Sequence, residues 1–420
     1  MAAVDGDPRN TPVPGRAGGF SDWLPGAAGR RRDLVDTFVR VFESWGYGLV
    51  ATPLVEPLDT IAAGVGAARQ SQLFRFMDAD GVLLSLVGER TVSVARVVAT
   101  QLQRAQFPLR LCYAGPVLRN AALLDGRRRE SMQAGCELIG HAGLAADAEC
   151  IALAATALER GGVRGVQIDV GHADFIPSVL ESAGLDAAAQ RAVLGALGRR
   201  DLVAVEVALE HTDMRDAERR LLLAFPTLRG GREILDTAAI GLGGERPRRA
   251  IEQLMELWEL LELHGVTSAV HLDLGAVRDW DYYTGPTFEV FSLDSGFPLG
   301  SGGRYDSLLE RFGFPSRATG FVLHVDRCND VLTRRDGSAA AQPALRVAWD
   351  GGQYDVALSI AERLRARGVA AVCDLDAAGA HPDAETAVHV HPDGVHWSSH
   401  GTGGRGSADS AVDALTGSAE

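Results

Sequence analysis

Gln133 and Glu137 stand four residues apart in a run, Glu130 to Gly140, whose residue types suit a strand. Residues two apart on a strand share a face. Ser131, Gln133, Gly135 and Glu137 therefore line one side, and Met132, Ala134, Cys136 and Leu138 line a core-like side. At roughly 3.3 Å per residue the amide and the carboxylate lie about 13 Å apart, with the small Gly135 between them. That is a floor for a small, positively charged, hydrogen-bonding ligand. Arg119, at the end of a preceding strand-like run from Leu111, supplies the opposite charge. Between the runs lie Asp125-Gly126, a turn signal because glycine takes positive φ without steric penalty, and Arg127, Arg128 and Arg129. The two runs read as an antiparallel hairpin with a long polar loop. A solvent-facing polar sheet face would show the same alternation.

Several other chemistries are excluded. The 420 residues contain no lysine, so a Walker A loop, a kinase-type ATP lysine and a pyridoxal Schiff base are ruled out. Cys112, Cys136, Cys150, Cys328 and Cys373 form no C-x-x-C pair and are odd in number, as expected of buried thiols in a reducing compartment. His389 and His391 could clip a metal, but strand alternation explains their spacing, so no metal or cofactor is expected. No apolar run is long enough to span a membrane and the N-terminal stretch has no secretory region, which leads us to expect a cytoplasmic protein. With a net charge of −14, a nucleic-acid surface would need a local basic face, and the dense runs are Arg30–Arg32 and Arg127–Arg129.

The elements that must hold these residues follow from periodicity. Leu34, Val35, Phe38, Val41, Phe42 and Trp45 fall at helical spacing and predict a helix over 27–45, stopped by Gly46. A strand is expected over 47–54, confined to a sheet edge because Pro53 cannot donate to a ladder. A strand at 83–86 leads through Glu89 and Thr91 into a helix over 92–106. A helix over 144–160, a strand at 167–169, a mostly helical insertion over about 171–265 and a strand at 270–274 follow. After a linker-like stretch at 335–343, a strand, a helix and a strand are expected over 345–349, 354–367 and 369–373. We expect a disordered tail at 1–18, an α+β core at 19–335, a small α/β domain at 344–395 and a disordered tail at 396–420.

This order of motifs resembles the class II aminoacyl-tRNA synthetases. Within them it is similar to histidyl-tRNA synthetase and its non-catalytic paralogue, the regulatory subunit of short-form ATP phosphoribosyltransferase. The resemblance rests on Leu118-Arg119 with Gln133-x-Gly135-x-Glu137 (the second class II motif) and on the stretch from Arg278 through Asp281, Tyr282, Tyr283, Thr284 and Gly285. The latter is similar to the histidine-specific Arg-Gly-Leu-Asp-Tyr-Tyr-Thr-Gly. Gly302-Gly303-Arg304-Tyr305-Asp306 and the third motif, Thr319 to Arg327, complete it. It covers roughly 19–335 and implies an antiparallel sheet flanked by helices, with the helix and proline-bearing strand near the N-terminus forming a dimer interface. It also implies a histidine pocket: Glu137 and Tyr283 for the imidazole, Glu89, Thr91 and Gln133 for the ammonium, Arg278 with Arg119 for the carboxylate, and Tyr282 and Tyr305 completing the wall.

The departures fall on the nucleotide side. His324 stands where the synthetases have a glycine that leaves space for the base, and its volume predicts an obstruction. Phe-Arg-x-Glu becomes Leu118-Arg119-Asn120-Ala121, and the following Arg-Pro-Gln becomes Ala122-Leu123-Leu124. The family's basic helix in the anticodon-binding domain has no counterpart. The resemblance thus implies a regulatory, histidine-sensing subunit with no catalytic residues, forming a homodimer within a hetero-oligomer with the catalytic subunit, and binding neither tRNA nor membrane. A divergent histidyl-tRNA synthetase or a stand-alone amino-acid-activating ligase is the alternative, since Arg119, Arg278 and Arg327 are all present. A histidine-binding protein with another partner is a third reading.

Overall fold

The computed structural model describes residues 15, 17–121, 128–199, 201–210, 212, 214–240, 242–276, 282–337, 344–375, 386–399 and 402–416. Most of the tail expected at 1–18, the loop residues Asp125, Gly126 and Arg127, and Arg278 lie outside them. The chain divides into two compact units, Met1–Ala339 and Ala340–Glu420.

The larger unit is built on a nine-stranded mixed sheet among the described residues. From edge to edge its strands are Gly48–Leu49, Leu109–Leu118, Glu130–Ile139, Ala318–His324, Gly300–Arg304, Pro286–Phe291, Gln167–His172, Val270–Asp273 and Arg229–Gly230. The pairings are antiparallel except Gly48–Leu49 on Leu109–Leu118 and Gln167–His172 on Val270–Asp273. The hairpin is as the alternation predicts, running from Leu109 opposite Ile139 to Leu118 opposite Glu130.

The two faces of this sheet bury different things. Cys112, Ala134, Cys136 and Leu138 join a core beneath the helices Ala27–Ser44 and Ala145–Arg160, while Tyr113 packs on the other face with Tyr282 and Tyr305. The helix Ala27–Ser44 earns its place through the spaced apolar residues: Leu34, Phe38 and Phe42 are buried, and Phe42 meets Phe321 edge-on at 5.6 Å. Full burial of each phenylalanine stabilises by roughly 1.5–3 kcal/mol. Gly46, at φ 86, turns the chain out of the helix.

The strand expected over 47–54 is a correction. Only Gly48–Leu49 pairs with the large sheet, and the chain then crosses to a second, three-stranded sheet through Val55–Pro57. Around Pro53 the backbone makes no ladder; instead the Thr52 carbonyl and hydroxyl accept hydrogen bonds from Arg90 at 3.2 and 3.0 Å. The insertion is helical as expected, with helices from Phe175–Ser182 to Glu245–Leu263 and the two-residue strand Arg229–Gly230 among them. Asp186 caps one of these helices, accepting from the amides of Ala188 and Ala189 at 2.9 and 2.8 Å. No helix among the described residues is long and apolar enough to cross a membrane.

The smaller unit is a five-stranded sheet in the order Ala371–Cys373, Leu345–Trp349, Thr386–His391, Gly394–Ser399, Thr402–Gly406. The helices Tyr354–Ala366 and Ala408–Thr416 share its core through Ile360, Leu364, Val412 and Leu415. The disordered tail expected from residue 396 is therefore a second correction: Gly394–Ser399, Thr402–Gly406 and Ala408–Thr416 are regular elements. Glycine- and serine-rich composition misled because these glycines lie under an aromatic ring. A Cβ on Gly404 would stand 2.4 Å from Trp397, so the ring covers the strand where a larger residue would not fit.

Candidate functional site

The hairpin floor forms a cleft in two connected parts. The larger has a volume near 700 Å³ and is bounded by Arg119, Gln133, His324 and Arg327. The smaller, near 20 Å³, is enclosed by Glu137, Tyr282, Tyr283 and Tyr305. Glu89, Thr91, Ser301 and Val322 line both. The first volume lies within the range of small-molecule sites, and the second is too small for an amino-acid side chain.

Each wall has a local cause. Gln133 and Glu137, 2% and 1% exposed, sit on the face of Glu130–Ile139 that the alternation assigns to them. Gly135 between them is required by packing: a Cβ would lie 2.4 Å from the Phe321 carbonyl and 2.6 Å from the Tyr113 hydroxyl. Gly320, opposite Glu137 on the neighbouring strand, is required likewise, because a Cβ there would lie 1.9 Å from Glu137 Oε2. Glu89 precedes the helix Arg90–Gln101 in extended geometry and its side chain makes no cap hydrogen bond. The carboxylate is turned into the cleft, where it accepts from the Tyr282 hydroxyl.

The Tyr305 hydroxyl donates to Glu137 Oε2, and Glu137 Oε1 is buried with no hydrogen-bond partner among the described residues. Burial pushes the Glu137 carboxyl up to about 8, with the negative charge of Glu89 adding to the effect and the hydroxyls of Tyr305, Thr91 and Tyr113 opposing it. The tyrosines thus hold the acidic floor while the small compartment is closed.

A stability consequence follows. From pH 4.5 to about 8 the unfolded chain has lost the proton that folded Glu137 retains. Stability therefore falls with rising pH over that window, by up to about 1.4 kcal/mol per pH unit, and then levels. Glu137→Gln removes this dependence. Denaturant unfolding of both proteins at several pH values should show the variant gaining on the parent until about pH 8 and no further.

The larger part is held by ion pairs at its rim. Asp326 accepts from Arg31 at 2.7 Å and from the Met132 amide at 2.9 Å, tying the helix Val325–Asp336 to the first helix and the hairpin. Trp23 lies between the guanidinium groups of Arg31 and Arg128, at 4.9 and 5.1 Å. Arg119 Nε donates to the Gly88 carbonyl at 2.7 Å, which aims its guanidinium along the cleft wall. His324 is held neutral: burial and the charges of Arg327 and Arg119 push its imidazole well below the usual range. His324 forms part of the wall of the 700 Å³ cavity, on a strand that pairs it with Gln133. The compartment that side chains fill is the one lined by tyrosines.

Of the residues singled out in sequence, Glu89, Thr91, Glu137, Tyr282, Tyr283 and Tyr305 come together around the small compartment. Arg119 and Gln133 join Glu89 and Thr91 around the large one. Three further residues belong to the cleft. Tyr113 faces Gly135 across the hairpin, a placement that strand register would have revealed. Ser301 links both parts of the cleft, and Asp326 braces the rim.

The histidyl-tRNA synthetase family model matches residues 19–328. An ATP phosphoribosyltransferase regulatory subunit of Geobacter sulfurreducens is 39% identical over 359 residues, 85% of this chain and 82% of the relative. One of Symbiobacterium thermophilum is 39% identical over 385 residues, 90% of this chain and 96% of the relative. The solved structure of an ATP phosphoribosyltransferase regulatory subunit/histidyl-tRNA synthetase from Bacillus halodurans C is 27% identical with a TM-score of 0.81, covering 90% of this chain and 98% of that one. A histidyl-tRNA synthetase of Nostoc sp. PCC 7120, at 18% identity and a TM-score of 0.81 over 96% of this chain and 99% of that one, shares the fold. With this agreement along most of its length, the chain belongs to the family of ATP phosphoribosyltransferase regulatory subunits, on the class II fold of histidyl-tRNA synthetase.

Proposed function

We propose that this chain is the non-catalytic regulatory subunit of a short-form ATP phosphoribosyltransferase, acting in the first step of L-histidine biosynthesis, from ATP and phosphoribosyl pyrophosphate. Catalysis takes place on a separate subunit, and L-histidine is the feedback effector. The observation that carries the histidine assignment is the buried acidic floor. Glu137 and Glu89 face one compartment, each engaged by a tyrosine hydroxyl that a ligand's N–H groups can replace. In this reading Glu137 and Tyr283 take the imidazole, and Glu89, Thr91 and Gln133 take the ammonium. Arg119 takes the carboxylate with Arg278, which lies outside the described residues. Tyr282 and Tyr305 move aside as the ring enters. Feedback requires that histidine bind one state of the assembly better than another.

A homodimer is supported by the three-stranded sheet, where Val55, Phe76, Met77 and Leu83 are 38%, 40%, 67% and 45% exposed. Apolar side chains gathered on one sheet suit a partner surface. The absence of a tRNA role is supported by the small unit, where Arg363 and Arg367 are paired with Asp409 and Asp413 of the last helix, so these cations are already matched. A cytoplasmic location accords with the buried thiols Cys112, Cys136, Cys150 and Cys328.

The test is to add the chain to a short-form catalytic subunit and follow phosphoribosyl-ATP formation. Activity should rise on mixing and fall when histidine is added. The ligase alternative keeps one specific observation, the open cavity bounded by Arg119 and Arg327. Histidine-dependent pyrophosphate–ATP exchange by the chain alone, without stimulation of the phosphoribosyltransferase, would overturn the regulatory reading.

A further inference from the structure

A second cluster of chemically capable side chains lies in the smaller unit, away from the acidic floor. His389 and His391 point to the same face of Thr386–His391, two residues apart. The opposite face, through Val388 and Val390, is buried in the core of the unit. His396 is the cross-strand partner of His389 on Gly394–Ser399 and so shares the histidine face. Strand alternation accounts for the spacing of the first two histidines. It does not account for what meets them.

Asp350 follows the end of Leu345–Trp349 and is fixed to the histidine strand by its amide, which donates to the Val390 carbonyl at 3.0 Å. Its Oδ2 lies 2.6 Å from His391 Nδ1 and 3.1 Å from His389 Nε2. The rings of His389 and His391 stack at 4.0 Å with 13° between planes, and that of His396 lies edge-on to His391 at 4.8 Å. Candidate donor atoms of Asp350, His389 and His391 all fall within 4.8 Å of one another. His396 Nε2 is a buried atom that makes no hydrogen bond among the described residues. A buried ring nitrogen left without a partner is costly.

From this the geometry points to a binding site for a divalent transition-metal ion of the zinc class, held by Asp350, His389 and His391 with His396 as the fourth side chain. Imidazole with a carboxylate suits zinc, cobalt, nickel and copper, and disfavours magnesium and calcium, which prefer oxygen. In a tetrahedral site with bonds near 2.0–2.1 Å, donor atoms stand about 3.3 Å apart. The two carboxylate–imidazole separations are already close to that, so small side-chain rotations close the shell. Asp350, His389 and His391 are about a third exposed at 33%, 28% and 29%, so an ion can enter from solvent. Once bound, it links three neighbouring strands at one end of the sheet.

The experiment uses the full chain without an affinity tag, stripped with chelator, and titrated with cobalt(II) while visible absorption is followed. Competition by zinc(II) gives the zinc affinity. One equivalent per chain is expected, with the intense d–d bands of a tetrahedral ion that zinc abolishes. Asp350→Asn and His391→Ala should each weaken binding by about 100-fold or more, with far-UV circular dichroism unchanged. Cys373→Ser, which removes the half-exposed thiol of the same sheet, should leave it unaltered. His391→Gln retains hydrogen bonding and serves if the alanine variant is misfolded. Absence of saturable binding overturns the proposal, and so does binding at one equivalent that both Asp350→Asn and the His391 variants leave intact.

Discussion

Replacing Glu137 by alanine is expected to lower histidine affinity by roughly 10- to 150-fold, measured by calorimetry on the chain and on its complex with a catalytic subunit. The range is that of a hydrogen bond to a charged group, about 1.5–3 kcal/mol. The reason is positional. Glu137 is 1% exposed, its strand fixes the side chain under the tyrosine layer, and Gly320 leaves the space that its carboxylate fills. A ligand N–H that displaces Tyr305 has no other carboxylate at that point of the floor. Loss of the carboxyl leaves the Tyr305 hydroxyl without its acceptor, so Glu137→Gln is the companion variant. It preserves the shape, and should still bind poorly because an amide cannot give up a proton to become the carboxylate that a ligand cation pairs with. If both variants bind histidine as the parent does, the effector sits elsewhere, and the acidic floor is a structural feature only.

Arg304→Met is expected to cause the largest loss of stability, about 3–5 kcal/mol, read from the midpoint of denaturant unfolding. Arg304 is 4% exposed and donates to Asp147, to Asp306 at 3.4 Å, and to the carbonyls of His141 and Gly143 at 3.1 and 3.0 Å. Removing it leaves the buried Asp147 carboxylate without its cation, whereas Asp306 keeps Arg317 and the Ala318 amide as donors. Asp147, 3% exposed, is already pushed above the usual carboxylate range by burial, with Arg304 opposing the shift. Without the guanidinium its carboxyl rises further. An acid with a raised folded pKa loses stability as pH rises above its unfolded value, so the defect should grow from acid toward neutral pH. Asp147→Asn combined with Arg304→Met should cost less than the two single losses added, because the pair is one unit. The Arg304 backbone also receives the Thr284 amide at 2.8 Å, and the Thr284 hydroxyl accepts from the Asp306 amide at 3.0 Å. This brace flanks Tyr305, so weaker histidine binding should accompany the lower stability.

The hairpin, the first helix and the helical insertion were legible because each is a local pattern repeated over ten or more residues. Strand alternation put Gln133 and Glu137 on one face, and the helical spacing of Leu34, Phe38 and Phe42 named the buried side of the first helix. The smaller unit shows where such signals fail. Its last two strands and helix are short, glycine-rich and polar, and they are ordered by a core shared with elements 40 or more residues earlier, as Leu364 packs in one cluster with Val412 and Leu415. No window of local sequence contains that information.

Sequence by itself determined that Gln133 and Glu137 share one face with Gly135 between them, because residue type and strand period set the charge and the face. Only the tertiary structure decided which half of the cleft is open. Residue volume at His324 argues for a blocked nucleotide side; in the fold a cavity of about 700 Å³ lies beside His324, and the tyrosine-lined side is the one filled by side chains. The space around a side chain depends on how neighbouring strands are paired and where their side chains point. Tyr282 reaches Glu89 across 193 positions, and Tyr305 reaches Glu137 across 168. Such contacts are products of sheet order, which brings distant segments side by side and lets two hydroxyls fill a pocket that the motifs alone describe as vacant.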